Sequence, residues 1–340
     1  MLRRPLFAEQ PDPIARGRKM FPLFSIGGNI IMNLQVSLPS KSGGITFKNP
    51  IMPAAATFGN IIEYKPYVDL SSLGALIPNS IFIDTGTPTK AKKTCKTRQG
   101  FLSALSRNNI SIREFEETIL PQLPFQETPV IIDMKASDKF EMEELAAYIN
   151  TIPGISGIEI NLNCPYGGKG LPYWKQGKEE LHDLVKRVRR AAPSKFLFAK
   201  SPGGCLDPNE IAKICADAGA DAFTSFCNMN GMSLNIRTRK FRCGSGGSGG
   251  FSGPALKPMC LSFCYKVINA VDIPVIGVGG ICTAEDVLEY IMAGAAAVQV
   301  GSANLSRPDL MPRILEDLVV LMEQLGIASL DEIRGTASPE

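Results

Sequence analysis

Short, continuous apolar runs alternate along this chain with stretches of helical periodicity. The runs are Ile51–Ala54, Ala75–Ile83, Val130–Met134, Gly157–Asn163, Phe196–Lys200, Ala222–Phe226, Pro274–Val278 and Ala296–Gly301. They are rich in Val, Ile and Phe and lack polar alternation, as strands buried on both faces do. Between them lie amphipathic patterns such as Ile112–Leu120, Glu141–Asn150, Glu179–Arg190, Pro208–Ala218, Pro258–Val271 and Ala284–Ala293. Eight strands alternating with helices predict an α/β chain folded as a (β/α)8 TIM barrel. A doubly wound parallel sheet is the alternative that periodicity leaves open.

The pattern also divides the chain. Residues 1–31, with Pro5, Pro11, Pro13 and scattered charge, read as a poorly ordered N-terminal extension. Residues 32–340 show no compositional break and read as one domain. It opens with a short β-hairpin from Leu34, turning at Ser42-Gly43-Gly44. Two long insertions, Thr85–Asn109 and Asn228–Gly253, follow barrel strands. Loops in that position shape the active face.

Composition narrows the partners. Hydrophobic residues make up 44% and charged residues 20%, and the net charge is +3. Much of that charge sits in the first 19 residues, so no basic face for nucleic acid is expected. No apolar run reaches the ~20 residues that cross a membrane. Nine cysteines, no CxxC pair and no secretory signal point to a reducing, cytoplasmic setting without a metal site. The only histidine, His182, lies in a charged helical stretch and reads as a surface residue.

Two chemical ends can be placed. Pro274–Gly280 ends in Gly279-Gly280, and Ala297–Ser302 ends in Gly301-Ser302. Glycines after the last two barrel strands let backbone N–H groups approach a phosphate, of a flavin mononucleotide or of a sugar. Thr283–Asp286, a plausible helix start, adds donors to the same place. At the other end, Asn161, Asn163 and Cys164 follow an apolar strand. The thiol suits a nucleophile or base, or simply a small apolar filler. Lys200 closes Phe196–Lys200, where a cation needs a partner or a solvated rim.

Taken together, these stretches resemble the dihydroorotate dehydrogenases, specifically the soluble, NAD-linked catalytic subunits. The resemblance runs from about Gly44 to Gly335. It is carried by Gly249–Pro258, Ile273–Gly280, Gly294–Asn304, Lys48–Ala54 with Thr57-Phe58-Gly59, and Val68–Ala75. It implies a CH–CH dehydrogenase of pyrimidine biosynthesis with FMN at the barrel mouth. Cofactor contacts fall on Ala55, Asn79, Ser80, Asp133, Asn161, Lys200, Gly253, Gly279, Gly280, Gly301 and Ser302. Cys164 falls on the catalytic base, and the small-molecule substrate falls to Asn79, Ser103, Ser106, Arg107, Asn161, Tyr166, Cys227 and Asn228. The resemblance also implies a homodimer and a separate electron-transfer subunit. Departures cluster at the substrate. The family's lysine at the second strand is Asn79, its asparagine after Cys-Pro is Tyr166, and its substrate loop reads Ser103–Asn109. A relative acting on another cyclic or unsaturated compound, a flavin-binding protein without turnover, and a non-redox phosphate-sugar barrel are the competing expectations.

Overall fold

In a computed structural model of the chain, residues 32–40, 43–84, 94–104, 110–163, 170–243 and 247–338 are described. The N-terminal extension lies outside them. A small hairpin, Val36–Leu38 against Ile45–Phe47, precedes the barrel.

Seven parallel strands form one curled sheet. They are β1 (Ile51–Pro53), β3 (Ile131–Met134), β4 (Gly157–Asn161), β5 (Phe196–Lys200), β6 (Ala222–Thr224), β7 (Val275–Val278) and β8 (Ala297–Val300), in the spatial order β1-β8-β7-β6-β5-β4-β3. Every residue of these strands is buried, because helices cover the outside and side chains fill the inside. Segment 74–82, here β2, closes the ring. Gly74 N–H donates to Ile51 O at 2.8 Å on one side. On the other, Leu76 N–H donates to Pro129 O at 2.8 Å and Ile81 N–H to Asp133 O at 2.8 Å. The sequence predicts an unbroken strand here. Pro78 has no N–H to give, and the ladder survives as isolated bridges at Leu76 and Ile81. Closure on both sides excludes the doubly wound sheet.

The outer layer holds α1 (Lys139–Asn150), α2 (Lys178–Ala191), α3 (Asn209–Asp217), α4 (Lys257–Ile268), α5 (Ala284–Met292) and α6 (Leu310–Leu325). Asp138 caps α1 by accepting from Phe140 N–H and Glu141 N–H, both at 2.9 Å. Residues Ile112–Glu114 begin α-helical, then widen into a π-helix over Phe115–Ile119 ahead of Pro121. The stretch Leu310–Leu325, which the apolar pattern does not single out, completes the eighth unit. His182 on α2 is half-exposed and pairs with Asp217 at 3.3 Å, away from the barrel mouth.

The two insertions meet. Thr94–Lys96 and Phe101–Ser103 come from the first, Met229–Gly231 and Gly249–Ser252 from the second. They form one antiparallel sheet beside the mouth, with Ser103 opposite Gly250 and Met229 opposite Phe251. The second insertion carries a Gly/Ser-rich stretch, residues 244–250; its last two glycines, Gly249 and Gly250, are strand, and residues 244–246 lie outside the described residues.

Candidate active site

A cavity of about 300 Å3 opens where the barrel strands end, the face on which barrels place their chemistry. Ala55, Ser80, Asp133, Asn161, Lys200 and Gly253 all line it. So do Gly279, Gly280, Gly301 and Ser302 from the ends of β7 and β8. The antiparallel sheet contributes Ser103, Asn230, Gly250 and Ser252, and the end of β6 contributes Cys227 and Asn228. Asn79 is not part of the wall: it follows Pro78, and its N–H donates to Gly59 O at 2.7 Å. Cys164, Ser106, Arg107 and Tyr166 lie outside the described residues.

At the glycine end, Gly279 has φ 123° and Gly280 has φ 71°, a left-handed pair that L side chains rarely adopt. A Cβ on Gly280 would come within 2.6 Å of Lys257 Cβ, and one on Gly279 would collide with Cys260 Sγ. Only glycine fits this close approach to α4, and both glycines line the cavity. The start of α5 contributes less than the sequence suggests. Thr283 Oγ1 accepts from Asp286 N–H, while the Asp286 carboxylate accepts from Cys282 N–H at 2.7 Å and Thr283 N–H at 2.9 Å. This capping box occupies the donors that an anion would need there. The short helix Ser302–Leu305 has no side-chain cap at Gly301, so its first N–H groups are the better placed donors.

Lys200 is held from beneath. It is 5% exposed, and its Nζ donates to Glu159 Oε2 and Gln299 Oε1, both at 2.9 Å. Glu159 is fully buried on β4 and its other oxygen accepts from Thr224 Oγ1 at 2.8 Å and Gln299 Nε2 at 2.7 Å. Four strands, β4, β5, β6 and β8, therefore converge on one buried ion pair. Burial works against the Lys200 ammonium, but the charges of Glu159 and Asp133 outweigh it and hold the group above its ordinary range. The solvated-rim alternative for Lys200 is excluded. Glu159, Thr224 and Gln299 were legible only as lone polar residues in apolar strands.

Asp133 at the end of β3 is fully buried. Burial, reinforced by the Glu159 charge, pushes its carboxyl up to about 6 against the pull of Lys200 and Lys135. Asn161 Nδ2 reaches Asp133 Oδ2 at 3.5 Å. Asn163 braces Asn161: its Nδ2 donates to Asn161 Oδ1 at 3.2 Å and its Oδ1 accepts from Gly203 N–H at 3.0 Å. Burial likewise pushes the Cys227 thiol up. Lys135, which the sequence reading passes over, also lines the cavity. Two residues beyond Asp133, it shares that residue's face of the strand, which is the signal that would have found it.

A glycine end suited to a phosphate and an opposite wall of amides, carboxylate and lysines suit a nucleotide-like ligand with a polar ring. Comparison with known proteins agrees with this arrangement. The Dihydroorotate dehydrogenase family model matches residues 37–322. A Dihydroorotate dehydrogenase B (NAD(+)) catalytic subunit from Solidesulfovibrio magneticus is 39% identical over 303 residues, 89% of this chain and 99% of that protein. Proteins of the same name from Maridesulfovibrio salexigens and Cutibacterium acnes are 35% and 36% identical, covering 86% and 88% of this chain and 96% and 97% of theirs. With both its length and its barrel-mouth cavity accounted for, the chain belongs to the dihydroorotate dehydrogenase family.

Proposed function

We propose that this protein is an FMN-dependent dehydrogenase that oxidises dihydroorotate. The observation that carries this reading is a single cavity joining the bare glycine turn of β7 and β8 to the Asn161–Lys200 wall of β4 and β5. The turn is a test of fit. A side chain at Gly280 would be strained and would meet Lys257 of α4, so the position stays glycine, and its backbone lines the cavity with that of Gly279 and Gly301, a lining that suits an anion. In this reading the phosphate rests on Gly279, Gly280, Gly301 and Ser302. The ring rests toward Ala55, Ser80, Asp133, Asn161, Lys200 and Gly253.

Bound FMN supplies the hydride acceptor. The protein's own groups do the rest. Cys164, just past the end of β4, is the base that takes a proton from the carbon beside the hydride-donating carbon. Asn161, braced by Asn163, orients the ligand's carbonyl and N–H groups. Lys200 presents a fixed positive charge, because Glu159 and Gln299 leave its ammonium no freedom to turn away. Ser103, Cys227 and Asn228, with Ser106, Arg107 and Tyr166, complete the substrate side, and the antiparallel sheet limits water access. The relatives are named catalytic subunits of an NAD-linked enzyme, which supports transfer of electrons to a partner subunit. A homodimer acting in the cytoplasm completes the proposal.

One observation favours a second reading, a different cyclic substrate: Asn79 neither carries charge nor lines the cavity. The test separates the two. Purified protein should carry flavin absorbance, dihydroorotate should bleach it without oxygen, and Cys164→Ser should slow bleaching while leaving the spectrum intact. A flavin that only another cyclic compound bleaches supports the second reading. A colourless protein that takes up no FMN refutes both.

A further inference from the structure

Lys135 is one of two lysines among the described residues lining the cavity, and it is 6% exposed. Its backbone is fixed, since its N–H donates to Ile81 O at 2.9 Å immediately after β3. A long cationic side chain normally keeps its head in water. This one is instead walled in beside Asp133, and the two groups act on each other electrostatically. Both lysines interact with neighbouring groups, Lys200 with Glu159 and Gln299.

The ring order shows what Lys135 faces. From β3 to β7 is four places around eight strands, whether counted through β4, β5 and β6 or through β2, β1 and β8. Lys135 therefore stands across the mouth from the Gly279-Gly280 turn. A ligand whose phosphate rests on that turn extends its other end toward β3. Burial, with the repulsion of Lys200, favours loss of the Lys135 proton, opposed by the negative charge of Asp133. A further negative charge in the cavity would strengthen the charged form.

The geometry points to Lys135 as a cofactor-contacting cation at the ring end of the flavin site, where it favours the electron-rich reduced ring over the oxidised one. This rests on the FMN reading above. It places a determinant of redox poise on the third strand, beside the position on the second strand that Asn79 leaves uncharged.

The test compares FMN-loaded wild type with Lys135→Met, Lys135→Gln and Lys135→Arg, measuring the flavin midpoint potential against reference dyes with no substrate present. Lys135→Met and Lys135→Gln should each lose about tenfold in preference for reduced over oxidised FMN, a shift of about 30 mV to more negative potential for a two-electron couple. Lys135→Arg should retain most of the wild-type value. Wild-type potential in Lys135→Met or Lys135→Gln overturns the assignment, as does an equal shift in Lys135→Arg. If the neutral variants fold by circular dichroism but release FMN, equilibrium dialysis with oxidised and reduced FMN decides. Greater loss of reduced FMN supports the role, and equal loss of both overturns it. A wild-type protein that binds no flavin fails at a different step and overturns the functional reading itself.

Discussion

Replacing Glu159 by Gln should unlock the floor of the site. Its carboxylate serves three donors: Lys200 at 2.9 Å on one oxygen, and Thr224 at 2.8 Å and Gln299 at 2.7 Å on the other. An amide has one acceptor oxygen. Turned toward Lys200, it sets its NH2 against the NH2 of Gln299. If Gln299 then flips, Lys200 loses the Oε1 it uses at 2.9 Å. Either way a bond is lost and a buried ammonium loses its nearest counter-charge. Breaking one side of a buried pair costs about 3–5 kcal/mol. Replacing both sides with apolar groups, Glu159→Leu with Lys200→Met, should cost far less. The coupling between the two positions should then reach about 2 kcal/mol or more. The assay is urea unfolding of the flavin-free protein, followed by Trp174 fluorescence and by circular dichroism. Coincident transitions are needed before free energies are compared. A loss below about 1 kcal/mol in Glu159→Gln, or strict additivity in the double variant, would refute the reasoning.

Three further outcomes follow from the same geometry. Gly280→Ala forces a left-handed φ on a side chain that also meets Lys257, so FMN affinity measured by fluorescence titration should fall by more than about tenfold; unchanged affinity would contradict the phosphate assignment. Asp133, with its carboxyl pushed up to about 6, contributes stability that is present at low pH and lost as pH rises through about 6. The wild type should therefore lose stability relative to Asp133→Asn between about pH 4 and pH 7, by on the order of 2–3 kcal/mol, and a pH-independent difference would sink the claim. Asn163→Ala removes the brace on Asn161, so substrate-driven flavin reduction should slow by about tenfold with little change in FMN affinity, and an unchanged reduction rate would remove the positioning role.

The strand count was legible because each barrel strand is an apolar run bounded by polar residues, and seven of the eight are continuous where the pattern puts them. Ala75–Ile83 misled because Pro78 breaks its hydrogen bonding without breaking its hydrophobicity. The glycine turns were legible from their position after the last two strands. The network under Lys200 was not. Glu159, Thr224 and Gln299 are 65 and 75 residues apart in succession, given by 224 − 159 and 299 − 224, and only closure of the barrel brings them together. Likewise, two insertions read as loops became one sheet because strand pairing between distant segments depends on partners the local sequence does not name. Lys135 was missed for a simpler reason: a lysine after an apolar strand looks like a solvated end until the neighbouring strands enclose it.

The proposed flavin spans this barrel mouth, phosphate at one side and ring at the other. A crystal structure of the protein soaked with FMN tests it most directly. Phosphate density should lie against the backbone of Gly280 and Ser302, and ring density beside Lys200 and Lys135. Phosphate bound elsewhere, or a ring lying away from both lysines, would contradict it.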